Sequence, residues 1–220
     1  MTASIISFYP ALYLIIPVAF LMGSIPFGLL FTRGKGVDLR ATGSKNIGAT
    51  NVLRTAGKLP AVLTLLCDTL KGAAPVLVCD YLISGKVSAG DTVLLNNAKD
   101  LWGGLVGFAA VAGHIFSVFL SFRGGKGVAT GLGVLIAYSP VTALVSLLIW
   151  TAVAVITRYS SLAAIVAVGM LPVTFALLEF SGIKISFGVL LAILIVYKHR
   201  ENISRLFERK EPKIGGKGRS

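Results

Sequence analysis

From Val128 to Ile156 the chain carries no charged side chain. Folded as one helix, that stretch would run about 43 Å, against roughly 30 Å for the hydrocarbon core of a bilayer. Ser139-Pro140 lies near its middle, where the proline ring and its missing N–H break a helix. Two short spans, residues 127–139 and 141–157, are therefore expected. The first of them would be only about 20 Å long as a helix.

Further apolar runs follow the same rule, because backbone polar groups in lipid must be satisfied within the segment and a helix does this. They occupy residues 5–31, 59–83, 101–120, 161–178 and 185–197. The chain is 55% hydrophobic and only 14% charged, with a mean hydropathy of +0.84. These values exclude an ordinary soluble domain. The expected fold is one all-α integral membrane domain with seven transmembrane helices. Residues 1–10 lack a charged leader segment and a small-residue cleavage site, so the first apolar run is expected to be a retained span. Cys67 and Cys79 read as small buried hydrophobes, with no metal or disulfide framework.

The net charge of +12 reports orientation rather than nucleic-acid binding. No basic-aromatic RNA-binding pattern or helix-turn-helix signature accompanies it. The loop 33–58 holds Arg33, Lys35, Arg40, Lys45, Arg54 and Lys58 against Asp38. That loop, the turn 121–130, Arg158 and the tail 198–220 contain most of the 21 basic residues and belong on the cytoplasmic side. Turn and tail share a side only if an even number of spans separates them, which the break at Pro140 supplies. The N-terminus is then outside and the C-terminus cytoplasmic.

Three polar segments at span boundaries could carry chemistry. In Phe122-Arg123-Gly124-Gly125-Lys126-Gly127, flexible glycines can turn N–H groups toward an anion. Lys126 adds a full charge there, and the helix that follows adds its positive dipole end. The basic loop gathers Ser44, Asn46, Thr50 and Asn51 around two glycines, with Arg54 able to fork onto a phosphate. In the tail, His199 and Asn202 share a face of a continuing helix, beside a Glu201–Arg205 pair. An imidazole at the membrane boundary can exchange protons. Within the spans, Asp68 and Lys71 lie three apart and are expected to pair; His114 either bonds between helices or lines the site.

Several catalytic signatures are missing. Leu120 stands where a phosphate loop of the G-x-x-x-x-G-K-[S/T] type needs its first glycine. There is no G-x-G-x-x-G fingerprint, no G-x-S-x-G elbow and no Asp four or five residues after either histidine. No internal repeat of the transporter kind is evident, although a small transporter or flippase for an anionic phosphate or lipid is the alternative class.

Three segments resemble the bacterial membrane glycerol-3-phosphate acyltransferases that use acyl phosphate, the PlsY family. They are Gly43-Ser44-Lys45-Asn46-Ile47-Gly48-Ala49-Thr50-Asn51-Val52-Leu53-Arg54, then Gly113-His114-Ile115-Phe116 through Gly124-Gly125-Lys126-Gly127-Val128-Ala129-Thr130, and Lys198-His199-Arg200-Glu201-Asn202-Ile203 with Glu211-Pro212-Lys213. Lys45, Ser117 and Arg209 replace a usual glycine, proline and glycine. The resemblance covers nearly the whole chain. It implies acyl transfer from fatty acyl phosphate to the 1-hydroxyl of glycerol 3-phosphate among membrane lipids, in phospholipid biosynthesis, with no metal or organic cofactor. It also implies that Ser44, His199 and Asn202 act on the reacting groups. Arg54, Asn46, Thr50, Asn51, Gly124, Gly125, Lys126 and Gly127 would hold substrate phosphate, leaving open which phosphate Lys126 grips. Asp68, Lys71, His114, Glu201 and Glu211 would support them.

Overall fold

The computed structural model describes residues 10–85 and 91–215. The expected start of the first span at residues 5–9, the loop residue Lys86 and the last residues of the tail lie outside them. All regular structure among the described residues is helical: α1 (Pro10–Ser24), α2 (Phe27–Thr32), α3 (Ala49–Ala56), α4 (Lys58–Ser84), α5 (Thr92–Ile115), a 3-10 turn (Val118–Leu120), α6 (Val128–Tyr138), α7 (Pro140–Thr157), α8 (Ser160–Gly169), α9 (Leu171–Leu178), α10 (Gly182–Lys198) and α11 (Arg200–Phe207). By length and composition, Leu12–Thr32, Lys58–Ser84, Thr92–Leu120 and Pro140–Thr157 can each cross a membrane. Two bent pairs, α8–α9 and α10–α11, raise the number to as many as six. The remaining expected span corresponds to α6, whose 11 residues reach only about 16 Å.

Several boundaries differ from the sequence expectation. The first apolar run is two helices, because Pro26 interrupts it. The carbonyls freed at that break find partners from other helices: Ser117 Oγ donates to Ser24 O, and Lys71 Nζ donates to Ile25 O at 2.7 Å. That is how a broken helix survives at membrane depth. Helix α5 starts at Thr92 rather than near residue 101, since the Asp91 carboxylate caps it by accepting from Leu94 N at 3.0 Å. The tail does not continue α10 straight; α11 departs at 59°.

Helix α5 is the centre of the bundle. Its buried Val106, Ala110, Val111 and Ile115 pack with Val134, Leu171, Phe175, Leu191 and Ile195 from α6, α9 and α10. The long helices approach one another at glycines, as expected where packing rather than water exclusion drives association. A Cβ on Gly23 would overlap the Ala110 carbonyl, and one on Gly113 the Phe20 carbonyl, so α1 and α5 touch backbone to backbone. The α4–α6 contact repeats this arrangement with Gly72 against Thr130 and Gly133 against Thr69. The Gly133→Ala change is expected to cost about 1–3 kcal/mol through overpacking. A shortened thermal half-life in detergent checks this, and an unchanged half-life contradicts the close approach. Outward-facing leucines such as Leu66, Leu70 and Leu77 on α4 and Leu144 and Leu148 on α7 give the bundle an apolar exterior suited to lipid.

Candidate active site

A cavity of about 680 Å³ opens among the three polar segments. Ser44, Asn46, Thr50, Arg54 and Lys58 line it from the basic loop and the start of α4; Lys126 and Gly127 from the glycine turn; His199, Asn202 and Glu211 from the tail. Its deeper walls are apolar, with Leu132 and Leu135 of α6, Leu147 and Trp150 of α7, and Ala167, Val168, Leu171 and Leu191 from the helices opposite.

The basic loop is built on Asn51, a fully buried side chain. Its Nδ2 donates to Asn46 O at 2.8 Å, Thr42 O at 3.1 Å and Leu39 O at 3.2 Å, while its Oδ1 accepts from Ser44 N at 2.8 Å. Asn51 therefore lines the cavity with an amide already committed to the loop backbone. Gly43 has φ +62, and a Cβ there would strike Asn51 Oδ1. Lys45 takes φ +58, a left-handed conformation that glycine adopts without strain. Arg54 lines the cavity and, among the described residues, has no hydrogen-bond or ionic partner, which leaves its guanidinium for an anion.

The glycine turn is moulded on His114. Gly124 N donates to Ile115 O and Gly125 N to His114 O, each at 3.0 Å. A Cβ on Gly124 would overlap the His114 carbonyl, and one on Gly125 its imidazole. These two N–H groups are thus engaged by the end of α5, and neither glycine lines the cavity. Lys126, Gly127 and the first turn of α6 do, bringing unpaired helical N–H groups to the mouth.

Lys126 Nζ donates to Asn202 Oδ1. Asn202 Nδ2 in turn donates to Glu211 Oε1 at 2.6 Å, the same oxygen that accepts from Ser161 Oγ at 2.7 Å. The other carboxylate oxygen takes Arg205 Nε at 2.7 Å. Arg205 therefore pairs with Glu211 and not with Glu201, which is exposed and off the cavity. The reason is the bend at His199, together with the tail folding back to bring Glu211 against α8 and α11.

Burial pushes the Lys126 ammonium down to about 8, helped by the Arg205 charge and opposed by Glu211. Burial likewise takes His199 down to about 4, with its bond to the Ile195 carbonyl acting the other way. That bond, 2.8 Å from Nδ1, forces the tautomer: a carbonyl only accepts, so Nδ1 carries the proton and Nε2 is left as an acceptor. The pH consequence follows from the sign. Lys126 is charged below about 8 and loses its charge above it. Affinity for a phosphorylated ligand is expected to fall as pH rises through that value, while His199 gives no limb near its ordinary pKa. A basic limb near pH 8 in the kcat/KM profile, well above the second ionisation of a substrate phosphate at about 6, checks the lysine, and an imidazole NMR titration with no midpoint near 6.5 checks the histidine.

Asp68 and His114 also line the cavity, whereas Lys71 sits behind them. Lys71 Nζ is 2.7 Å from Asp68 Oδ1, and His114 Nδ1 is 3.8 Å from the same oxygen. The sequence pointed to none of Ser160, Ser161, Trp150 or the Arg205–Glu211 pairing as part of this site. Ser160 meets the Thr50 hydroxyl at 3.4 Å, a contact between the starts of α8 and α3, distant in sequence and with no local motif to announce it.

A helical membrane bundle whose cavity joins cationic and amide groups at its mouth to an apolar interior defines an integral membrane enzyme acting where a polar substrate meets a lipid. The family model described as glycerol-3-phosphate acyltransferase matches residues 13–209, and the chain belongs to that family. It is 46% identical over 188 residues to the glycerol-3-phosphate acyltransferase of Geotalea daltonii, covering 86% of this chain and 90% of the relative. The identity to that of Mesorhizobium japonicum is 47% over 208 residues, with 94% and 98% covered. The crystal structure of PlsY in its glycerol 3-phosphate form superposes with a TM-score of 0.79 at 38% identity, covering 92% of this chain and 95% of that one. The lysophosphatidic acid form gives 0.77 at 37%. The chain is a membrane acyltransferase of the PlsY type.

Proposed function

We propose that this enzyme transfers a fatty acyl group from acyl phosphate to the 1-hydroxyl of glycerol 3-phosphate, at the cytoplasmic face of a bacterial inner membrane. The observation that carries this reading is the cavity itself, with Arg54, Lys126, Asn202 and His199 at one end and apolar walls at the other. Its products are lysophosphatidic acid and inorganic phosphate. All seven expected spans enter this reading, with α6 as a short crossing and the N-terminus outside; the basic residues of loop, turn and tail support that orientation.

Lys126 and the start of α6 hold the phosphate of glycerol 3-phosphate, and Arg54 holds the second phosphate, so that the two anions are neutralised separately. The Nε2 of His199 accepts the hydrogen bond of the attacking hydroxyl, and Asn202 is held in place by Lys126 and Glu211. Oxygen attacks the acyl carbon, the tetrahedral oxyanion is stabilised by N–H and hydroxyl donors at the mouth, and the bond to the phosphate oxygen breaks. With a pKa near 4, His199 orients more than it deprotonates, and the proton leaves with the phosphate. Among the described residues no base partners the Ser44 hydroxyl, which supports direct transfer without an acyl-serine. Because acyl phosphate is already activated, holding both substrates in attack geometry supplies much of the rate.

The test is purified protein supplied with glycerol 3-phosphate and, separately, acyl phosphate, acyl-coenzyme A or acyl-carrier protein. Lysophosphatidic acid is expected from acyl phosphate. Absence of product with every donor overturns the activity, and a preference for acyl-coenzyme A overturns the donor.

A further inference from the structure

A second charged cluster lies away from the catalytic mouth, at the opposite ends of α6 and α7. Glu179, just past α9, is its centre. Its Oε1 accepts from Ser139 Oγ and, at 3.5 Å, from Thr142 Oγ1. Its Oε2 accepts from Lys184 Nζ at 2.7 Å. Lys184 also stands 3.4 Å from Asp100 Oδ1, and Asp100 Oδ2 accepts from Ser181 Oγ at 2.6 Å. Tyr138 OH donates to Asp100 O at 2.6 Å and offers its ring to the Lys184 ammonium. Two carboxylates and one ammonium thereby tie Asp100, two turns into α5, to the ends of α6, α7, α9 and α10.

This cluster lies one to two helical turns beyond the cavity. The lining residues farthest from the mouth along their own helices include Leu135 on α6, Ser146 on α7, Leu171 at the start of α9 and Leu191 on α10. Ser139 follows Leu135 by about one helical turn and Thr142 precedes Ser146 by about one turn. Along α10, Leu191 lies about 12 Å below His199, and along α7 Ser146 lies about 16 Å below Thr157. Ser139 is also the single residue joining α6 to α7, so Glu179 grips the tip of the hairpin that forms one wall. The other end of the same grip is the close of α9, whose first residue, Leu171, forms the opposing wall. Nothing in the catalytic chemistry requires these groups, and their shared geometric effect is to hold together the ends of helices that form two walls of the cavity, on the side away from the mouth.

We infer that Glu179 is a positioning residue that fixes the closed end of the cavity and thereby sets the length of acyl chain the enzyme accepts. This rests on the reading of the cavity as the acyl site. Truncating or neutralising Glu179 releases the α6–α7 tip from α9 and α10, and the cavity deepens without any change at Lys126 or His199. The effect belongs to the acyl donor and not to glycerol 3-phosphate.

The experiment compares wild type, Glu179→Gln and Ser139→Ala with a series of acyl phosphates of increasing chain length. The Gln side chain offers one acceptor oxygen where Ser139 Oγ and Lys184 Nζ each have their own, so it loses the ionic bond and loosens the hold on Ser139; the Ala variant removes one hydroxyl and leaves the ion pair intact. The ratio of kcat/KM for chains longer than the wild-type optimum to that at the optimum is expected to rise about tenfold in Glu179→Gln, the scale of one charge-assisted hydrogen bond. Ser139→Ala is expected to shift the ratio in the same direction by less, and KM for glycerol 3-phosphate stays at its wild-type value in both. An unchanged chain-length profile in Ser139→Ala and in folded Glu179→Gln overturns the inference, as does a parallel rise in both KM values, which would indicate general loosening. Should Glu179→Gln fail to fold, Ser139→Ala alone decides by the same criteria. Wild-type protein inactive with every acyl phosphate overturns the underlying acyl-transfer reading instead, so the two failures are distinguishable.

Discussion

Lys126→Ala is expected to lower kcat/KM for glycerol 3-phosphate by about 10²–10³-fold, the range for removing one member of a buried, hydrogen-bonded charge pair. Two effects combine. The variant loses the cation at the start of α6, and it releases Asn202 Oδ1, which Lys126 holds. The first weakens phosphate binding and raises KM; the second disorders a group beside the reacting centre and lowers kcat. Lys126→Arg separates them, because it restores charge but places a planar fork where a compact ammonium sat. It is expected to recover KM more than kcat. Steady-state kinetics with glycerol 3-phosphate varied at saturating acyl phosphate measure both constants. A KM unchanged in Lys126→Ala would contradict the phosphate role, leaving the lysine as a brace for Asn202 alone.

Glu211→Ala is expected to be the most destabilising change at the site. The carboxylate is almost fully buried and accepts from Asn202, Ser161 and Arg205. Its removal leaves a guanidinium whose Nη2 already lacks a partner, and strands two further donors. Because the stranded Arg205 side chain is 30% exposed and can turn to water, the cost is set mainly by the two unpaired donors, about 1–3 kcal/mol each at most. The tail then loses its tie to α8 and α11, though its backbone bond from Ile214 N to Arg158 O at 2.7 Å remains. Thermal inactivation in detergent should be much faster than in the wild type. Activity assayed at low temperature should also fall, because Asn202 no longer has a fixed orientation. Glu211→Gln keeps one acceptor oxygen and should lie between the two. Normal thermal stability in Glu211→Ala would refute the picture of this carboxylate as the joint between tail and bundle.

The apolar runs, the helix break at Pro140 and the three polar boundary segments were legible along the chain, because each depends on local chemistry. A lipid-exposed backbone must close its own hydrogen bonds, proline cannot continue a helix, and charge cannot stay in hydrocarbon unpaired. Asp68 and Lys71 paired as their spacing suggested. The roles of individual polar residues were harder to read. Asn51 read as a ligand for phosphate; it lines the cavity, and its amide is also the buried anchor of its loop. Gly124 and Gly125 looked like anion donors, and their N–H groups are bound to the end of α5. Both outcomes depend on which carbonyls happen to lie nearby, which spacing along the chain does not encode.

By itself the sequence determined that this chain is a helical membrane protein with a cationic, amide-rich face, and its motifs pointed to the family. Only the tertiary structure decided which of those groups face the cavity and which hold it in shape. Glu211 reaches Ser161 across fifty positions, and Glu179 meets Ser139 across forty. Such pairs are chosen by how helices pack at their glycines and bend at Pro26 and His199. A strong interaction between distant segments leaves no period or motif in either of them. Lys126, conspicuous from the start as a lone charge after two glycines, acquired its orientation only from Asn202 and the folded-back tail.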